Sequence, residues 1–228
     1  ILKNSNSKLK SFKNYNEIFL DVTSEKSIID AKNIIIKKFK QIDILINNAG
    51  IDAKVDKHTS DRFGRLEDFS LERWNTELNV GLTGAFLCSK HFGHLLSLNT
   101  NGGVILNIAS DLSVIAPDQR LYSDESEKSL QKPVKPVTYS VIKTALIGLT
   151  KYLSTYWLNG KVRVNALSPG GVYQNQPKEF VTKLEALIPL GRMANEDEYK
   201  SAVQFLCSDS SKYMTGQNVV VDGGRSIW

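Results

Sequence analysis

Two hydrophobic rhythms alternate along the chain. Residues 17–22 (EIFLDV) read as a strand, and Thr23 or Ser24 can cap the helix that follows. Ile28, Ile29, Ala31, Ile34, Ile35 and Phe39 give that helix an apolar face. Residues 42–46 form a short apolar strand ending in Asn47-Asn48-Ala49-Gly50. Trp74, Leu78, Leu82, Phe86 and Leu96 then recur at helical spacing and predict a long helix over about 71–98. A strand over 102–109, a helix over 139–158 and a strand over 162–167 come next. Helical segments over roughly 179–187 and 196–208 precede a last strand, 218–222, which runs into Gly223-Gly224.

Strands separated by helix-length segments imply right-handed βαβ units, hence an α/β fold with a parallel sheet and helices on both faces. The near-continuous apolar strands fit a sheet covered on both sides. Ligands of such sheets bind beyond the carboxyl ends of the strands. Asn47-Asn48, Ser110 and Pro169-Gly170 each follow a strand directly, so they converge on that edge.

Composition narrows the picture. A length of 228 residues with 41% hydrophobic content suggests one domain, 1–228, with a sizeable core. No apolar stretch approaches a membrane helix, and the segment ILKNSNSKLK lacks the apolar region of a secretory signal. The two cysteines, Cys88 and Cys207, sit in apolar helical patterns and read as unpaired thiols of a reducing cytoplasm. His91 and His94 lack a carboxylate or cysteine at ligand spacing, so no metal site is expected. The net charge of +5 comes from scattered lysines, which argues against a nucleic-acid surface. It reflects either a lysine-rich coding bias or a surface that attracts a phosphorylated substrate or cofactor. The chain starts at Ile1, and no glycine precedes Gly50. It is therefore expected to begin partway through a longer protein.

Several motifs carry chemistry. Tyr139-Ser-Val-Ile-Lys143 puts a phenol and an ammonium four residues apart on one helix face. A nearby positive charge favours the phenolate and lowers the tyrosine pKa, so Tyr139 can exchange a proton with an alcohol or carbonyl. Ser110, ending a strand, is either a helix cap or a hydroxyl that meets a substrate oxygen. Asn79 is either a tolerated polar residue or one that kinks its helix and holds a water. Asn47-Asn48-Ala49-Gly50 and Pro169-Gly170-Gly171 are turns, or small-residue stops beside a ligand. Asp222-Gly223-Gly224 reads as structural.

Taken in order, these motifs resemble the short-chain dehydrogenase/reductase family. The matching text is Asp21-Val22, Asn47-Asn48-Ala49-Gly50, Asn79-Val80, Asn107-Ile108-Ala109-Ser110, Tyr139-Ser-Val-Ile-Lys143, Ser168-Pro169-Gly170, Pro189-Leu-Gly-Arg192 and Asp222-Gly223-Gly224, running from about Phe19 to Trp228. The resemblance implies a Rossmann-like fold and NAD or NADP as cofactor. By that resemblance Tyr139 is the general acid/base, Lys143 binds the nicotinamide ribose, Ser110 orients the substrate oxygen and Asn79 supports a relay water. Asp21 and Val22 flank the adenine, and Asn48, Ala49 and Gly50 lie along the cofactor. Pro169, Gly170 and Val172 close over the nicotinamide. Members of the family usually associate through their two long helices, so a homodimer or homotetramer is implied. Phe86, Phe92, Leu146, Leu149 and Leu153 fit such an interface and fit an internal core face equally well.

The chain departs from the family pattern in two places. The glycine-rich phosphate loop and the first strands, including the one that chooses between NAD and NADP, are absent. Backbone amides at such a loop hold the pyrophosphate, so this length of chain taken alone is expected to be marginal and inactive. The second departure is an insertion over about 113–137, with 28 residues between Ser110 and Tyr139. Asp118, Gln119, Arg120 and Tyr122 either grip a polar or acidic substrate or belong to a surface excursion. An insertion of this kind resembles members linked to bacterial surface-sugar or flagellar-glycan biosynthesis. The expected activity is hydride transfer between nicotinamide and a secondary alcohol or ketone of a small molecule, possible sugar derivatives included. The alternative is a catalytically silent Rossmann-like binding or assembly subunit.

Overall fold

A computed structural model describes residues 12–52, 64–122 and 133–228. Among these residues four strands, β1 (Ile44–Asn47), β2 (Gly103–Ile108), β3 (Val162–Pro169) and β4 (Asn218–Val221), form one sheet in the order β1-β2-β3-β4. All pairings are parallel, with Ile44 opposite Val104, Ile105 opposite Val164 and Leu167 opposite Val219.

The helices are α1 (Glu25–Phe39), α2 (Leu71–Leu78), α3 (Gly84–Cys88), α4 (His94–Leu98), α5 (Val137–Tyr156), α6 (Lys178–Glu185) and α7 (Lys200–Cys207). Ser24 caps α1, its side chain accepting from the Ser27 N–H. α2, α3 and α4 form one helical run, joined by π turns at Asn79–Thr83 and Ser89–Gly93. The first π turn opens on Asn79, the residue singled out as a local kink. This run packs closely on its neighbours: a Cβ at Gly81 would lie 2.7 Å from Ile142, and one at Gly93 would lie 2.3 Å from the Trp157 ring.

The parallel strands present alternate residues to two faces. On one face Ile105, Val162 and Val164 pack with Leu96 of α4 and Leu153 of α5. On the other, Leu106 and Leu167 pack with Leu206 of α7. Helices therefore cover both faces, as expected for the α/β class. A third cluster, Ile28, Cys88 and Phe92 with Leu20, Val22 and Leu45, fastens α1 to the helical run. Glu25 adds a polar tie, contacting both Lys90 (2.8 Å) and His91 (2.7 Å).

Two sequence-based expectations need correction. Residues 17–22 are not a strand. Leu20 and Val22 turn inward, Phe19 is 74% exposed, and no described segment pairs with the outer edge of β1. Apolar alternation becomes a strand only where a neighbouring strand completes the ladder. The helix expected over 196–208 begins at Lys200, because Glu198 folds back on Arg192 (2.6 Å) and accepts from the Asn195 N–H in a preceding turn. Of the residues that fit either an interface or a core face, Phe92, Leu146 and Leu153 are buried in the core and Phe86 is half exposed.

Both cysteines are unpaired. Burial pushes the Cys88 thiol up to about 11. Among the described residues no helix is long and apolar enough to cross a membrane.

Candidate active site

β2 delivers Ser110 to the carboxyl edge of the sheet, where the chain leaves in a short 3-10 turn, Asp111–Ser113. Ser110 is 4% exposed and caps that turn, its Oγ accepting from the Leu112 N–H at 3.2 Å. The hydroxyl donates to Asp111 Oδ1 at 2.9 Å. Asp111 in turn meets Arg225 of the C-terminal turn at 2.6 Å, both side chains being buried. Ser110 is thus a cap and a wall of the site at once.

α5 begins at Val137 and places Tyr139 and Lys143 one turn apart on the face toward β2. The Lys143 ammonium donates to the Ile108 carbonyl at 2.8 Å and lies 5.7 Å from the centre of the Tyr139 ring. A second ammonium reaches the same ring from the insertion. Lys135 Nζ sits 3.8 Å from the ring centre and pairs with Asp52 at 2.6 Å.

These groups line a cavity of about 550 Å³ that also includes Pro169, Gly170, Val172 and Tyr122. Burial dominates its electrostatics. The Tyr139 hydroxyl is held well above its ordinary range, first by burial, then by the Asp52 carboxylate, with Asp111 adding to the effect and hydrogen bonding to Ser110 opposing it. The lowered tyrosine pKa expected from the Tyr-Lys spacing is therefore not the state of this site. Lys143 shows the complementary effect: burial brings it down to about 8 against the pull of Asp52, with Lys135 adding to the depression.

The predicted site residues divide into groups. Ser110, Tyr139, Lys143, Pro169, Gly170, Val172 and Tyr122 come together in the large cavity. Val22, Asn48 and Ala49 line a second cavity of about 140 Å³ against Gly84 and Phe92. Asp21 stands beside Val22, but its carboxylate is used locally, accepting from the Thr23 N–H (2.9 Å) and hydroxyl (2.7 Å). Gly50 is exposed, with no neighbouring atom within reach of an added Cβ. Asn79 is exposed and accepts from the Thr83 hydroxyl at 3.4 Å.

The insertion is corrected in part. Asp118 and Arg120 pair with each other at 2.6 Å, with the Arg120 side chain 87% exposed, and neither lines the cavity. Gln119 accepts from the Lys135 N–H instead. Tyr122 faces the cavity and rests on Phe180, the ring centres 5.6 Å apart. Leu121 anchors the segment in a cluster with Leu184, Ile188 and Met193. The part of the expected insertion over 123–132 lies outside the described residues.

Sequence reasoning missed a polar seam beneath the site. Asn107 is fully buried; its carbonyl accepts from Asn47 (2.8 Å) and its amide donates to Thr150 of α5 (2.8 Å). Asn47 also donates to Ser89 (3.1 Å), joining β1, β2, α5 and the helical run. The signal was an asparagine within an apolar strand. Asp111–Arg225 had no such signal, since the pair is separated by most of the C-terminal half.

The donor set suits the ribose–nicotinamide end of a dinucleotide. Lys143 has three N–H donors and uses one on Ile108, leaving the others for ribose hydroxyls at the cavity wall. The family model described as "Enoyl-(Acyl carrier protein) reductase" matches residues 3–226. D-threitol dehydrogenase of Mycolicibacterium smegmatis is 32% identical over 214 residues, covering 91% of this chain and 72% of that protein. Post-translational flagellin modification protein A of Campylobacter coli is 30% identical over 210 residues, covering 91% and 77%. A short-chain dehydrogenase from Leptospira borgpetersenii, solved with bound NAD+, superposes with a TM-score of 0.78 at 35% identity, covering 92% of this chain and 75% of that one. With the family model spanning nearly the whole sequence and the fold shared with its solved members, this chain belongs to the short-chain dehydrogenase/reductase family.

Proposed function

We propose that this protein is an NAD(P)-dependent oxidoreductase that interconverts a secondary alcohol and a ketone on a polyol or sugar-derived substrate, with Tyr139 as the proton-exchanging group. The observation that carries the proposal is the meeting of Ser110, Tyr139 and Lys143 in one cavity at the carboxyl edge of the sheet. The substrate class rests on the threitol and flagellin-modification relatives. A silent binding subunit has no use for all three side chains together.

In this reading the bound dinucleotide supplies or accepts the hydride. Lys143, titrating at about 8, is cationic at neutral pH and holds ribose hydroxyls with the donors that Ile108 leaves free. Its charge, together with that of Lys135 over the same ring, favours the phenolate when the site is filled and water is excluded. Tyr139 then takes the proton of the substrate hydroxyl, or returns one to a carbonyl oxygen. Ser110 hydrogen-bonds the same oxygen. Pro169, Gly170 and Val172 flank the nicotinamide, while Asp21, Val22, Asn48, Ala49 and Gly50 follow the rest of the dinucleotide. Asn79 supports a relay water through the π turn that it opens. Tyr122 and Phe180 form the substrate side of the cavity.

The half-exposed Phe86 on α3 and the exposed Tyr152 and Tyr156 on α5 support a homo-oligomer, dimer or tetramer, built on these helices. Two unpaired thiols fit a cytoplasmic protein.

The test is an initial-rate assay of the protein as expressed from its gene, with D-threitol and related polyols and either NAD+ or NADP+, followed at 340 nm. Tyr139→Phe is expected to lower kcat/KM by at least about 100-fold with an unchanged circular dichroism spectrum. Turnover that survives this substitution, or none with any secondary alcohol, overturns the proposal.

A further inference from the structure

Among the described residues, three cationic and two anionic side chains line the large cavity. Arg225 and Asp111 neutralise each other at 2.6 Å, both buried. Lys143 rests on the Ile108 carbonyl and serves the cofactor ribose in the reading above. Lys135 is left over, and its place is fixed from three sides. Pro136 follows it and biases its backbone toward an extended form. Its N–H donates to the Gln119 side chain at 2.9 Å, and its ammonium lies 3.8 Å from the centre of the Tyr139 ring. The Lys135 side chain is 9% exposed, whereas that of Asp52, which meets the ammonium at 2.6 Å, is 61% exposed. A buried cation is thus balanced by a carboxylate that stands largely in water.

That asymmetry makes the counter-ion exchangeable. Asp52 keeps much of its hydration and can withdraw at little cost. Lys135 stays where it is and needs another anion when Asp52 leaves. The Tyr139 hydroxyl stands at the rim of the ring that Lys135 covers, so an anion held by Lys135 is a near neighbour of the reacting carbinol. We propose that Lys135 is a specificity-determining residue that receives a carboxylate carried by the substrate, with Asp52 as its stand-in, so that hydroxy acids of the polyol or sugar type are preferred over neutral polyols. The inference rests on the reading above that Tyr139 exchanges the proton of a secondary alcohol.

The exchange replaces one carboxylate by another, so the charge beside Tyr139 is preserved. A phosphate dianion would add a second negative charge next to the phenol that must ionise, and it would meet a single ammonium rather than the forked donors that suit it. Lys135 has three N–H donors, enough for a carboxylate and a neighbouring hydroxyl.

Initial rates with NAD+ or NADP+ on matched pairs test the inference, using the protein as expressed from its gene. The pairs are D-threitol with D-threonate, D-glucitol with D-gluconate, and glycerol with D-glycerate, at constant ionic strength. Each acid differs from its neutral partner by one terminal carbon. In at least one pair the acid is expected to have the higher kcat/KM. Lys135→Gln is expected to lower the ratio of acid to neutral kcat/KM in that pair by at least about tenfold, chiefly through the KM of the acid. Loss of Lys135 as support for the Tyr139 phenolate acts on both members and cancels in the ratio. Lys135→Arg is expected to restore most of it. Arg120→Ala, which removes an exposed insertion cation that does not line the cavity, is expected to change the ratio by less than about twofold. Asp52→Asn, at an exposed position, is expected to raise the ratio by a few-fold as the competing carboxylate disappears, and it decides the matter if Lys135→Gln fails to fold.

Preference for the neutral member in every pair, an unchanged ratio in Lys135→Gln, or a fall in Asp52→Asn overturns the proposal. So does an equal loss in Arg120→Ala, or glycerol 3-phosphate turned over in preference to D-glycerate. Those outcomes leave the oxidoreductase reading standing, whereas no turnover of any acid or neutral alcohol overturns that reading and this inference with it.

Discussion

Burial makes Lys143 a destabilising residue, and under the proposed function replacing it with methionine should make the protein more stable and inactive. Its pKa falls from the usual 10.5 to about 8 because burial disfavours the charged form. That gap corresponds to roughly 3 kcal/mol of folding free energy at pH 7. Lys143→Met removes this cost and forfeits the bond to the Ile108 carbonyl, about 1 kcal/mol. The net expectation is a gain of about 2 kcal/mol at pH 7. The sign follows from proton counts. Between about 8 and 10.5 the unfolded chain still holds a proton that the folded protein has released. Wild-type stability therefore rises across that window, and the cost is fully present below it. The advantage of Lys143→Met should shrink as pH rises through the window and vanish near its upper end. Urea unfolding followed by tryptophan fluorescence at pH 7, 8, 9 and 10 gives the difference between the two proteins directly, and groups common to both cancel. A variant less stable than wild type at pH 7, or a difference independent of pH, would refute the reasoning. Loss of NAD(P)-linked turnover in the same variant would complete the stability–activity trade-off.

Other predictions concern the scaffold. Asn107→Ala leaves an Asn47 donor and a Thr150 acceptor unpaired in the core and should cost about 2–4 kcal/mol, read as a lower urea midpoint; a loss under about 0.5 kcal/mol would show that the seam carries little. Leu121→Ala opens a void against Leu184, Ile188 and Met193 and should cost about 2–4 kcal/mol. It should also raise the substrate KM by loosening Tyr122, whereas an unchanged KM would separate the insertion from the cavity. Arg120→Ala removes only a surface pair and should change stability by less than about 0.5 kcal/mol. A large rise in KM for that variant would restore Arg120 to the substrate site.

Much of the fold was legible because local pattern and local structure share a length scale. The apolar runs at β2 and β3, the capped α1 and the long helical spacing from Leu71 to Leu98 are properties of consecutive residues. The Tyr139–Lys143 spacing likewise put both side chains on one helix face before any packing was known. Ser110 was legible as the residue that ends a buried strand.

The remainder depended on atoms distant in sequence. Residues 17–22 have the pattern of a strand and meet no ladder partner among the described residues, so they pack as coil. Phe92 and Phe86 lie on the same helical run, yet one is buried and the other half exposed, because only one faces the sheet. The Tyr139 pKa moved opposite to the expectation from its lysine neighbour, since burial and two carboxylates outweigh a charge occupied with the Ile108 carbonyl. Arg225 reached Asp111 only because β3 and β4 bring the C-terminal turn beside the end of β2. Sequence by itself determined the elements and the chemical inventory, since both are written in neighbouring residues. Tertiary structure decided pairing, burial and protonation, because these depend on what each group meets across the fold.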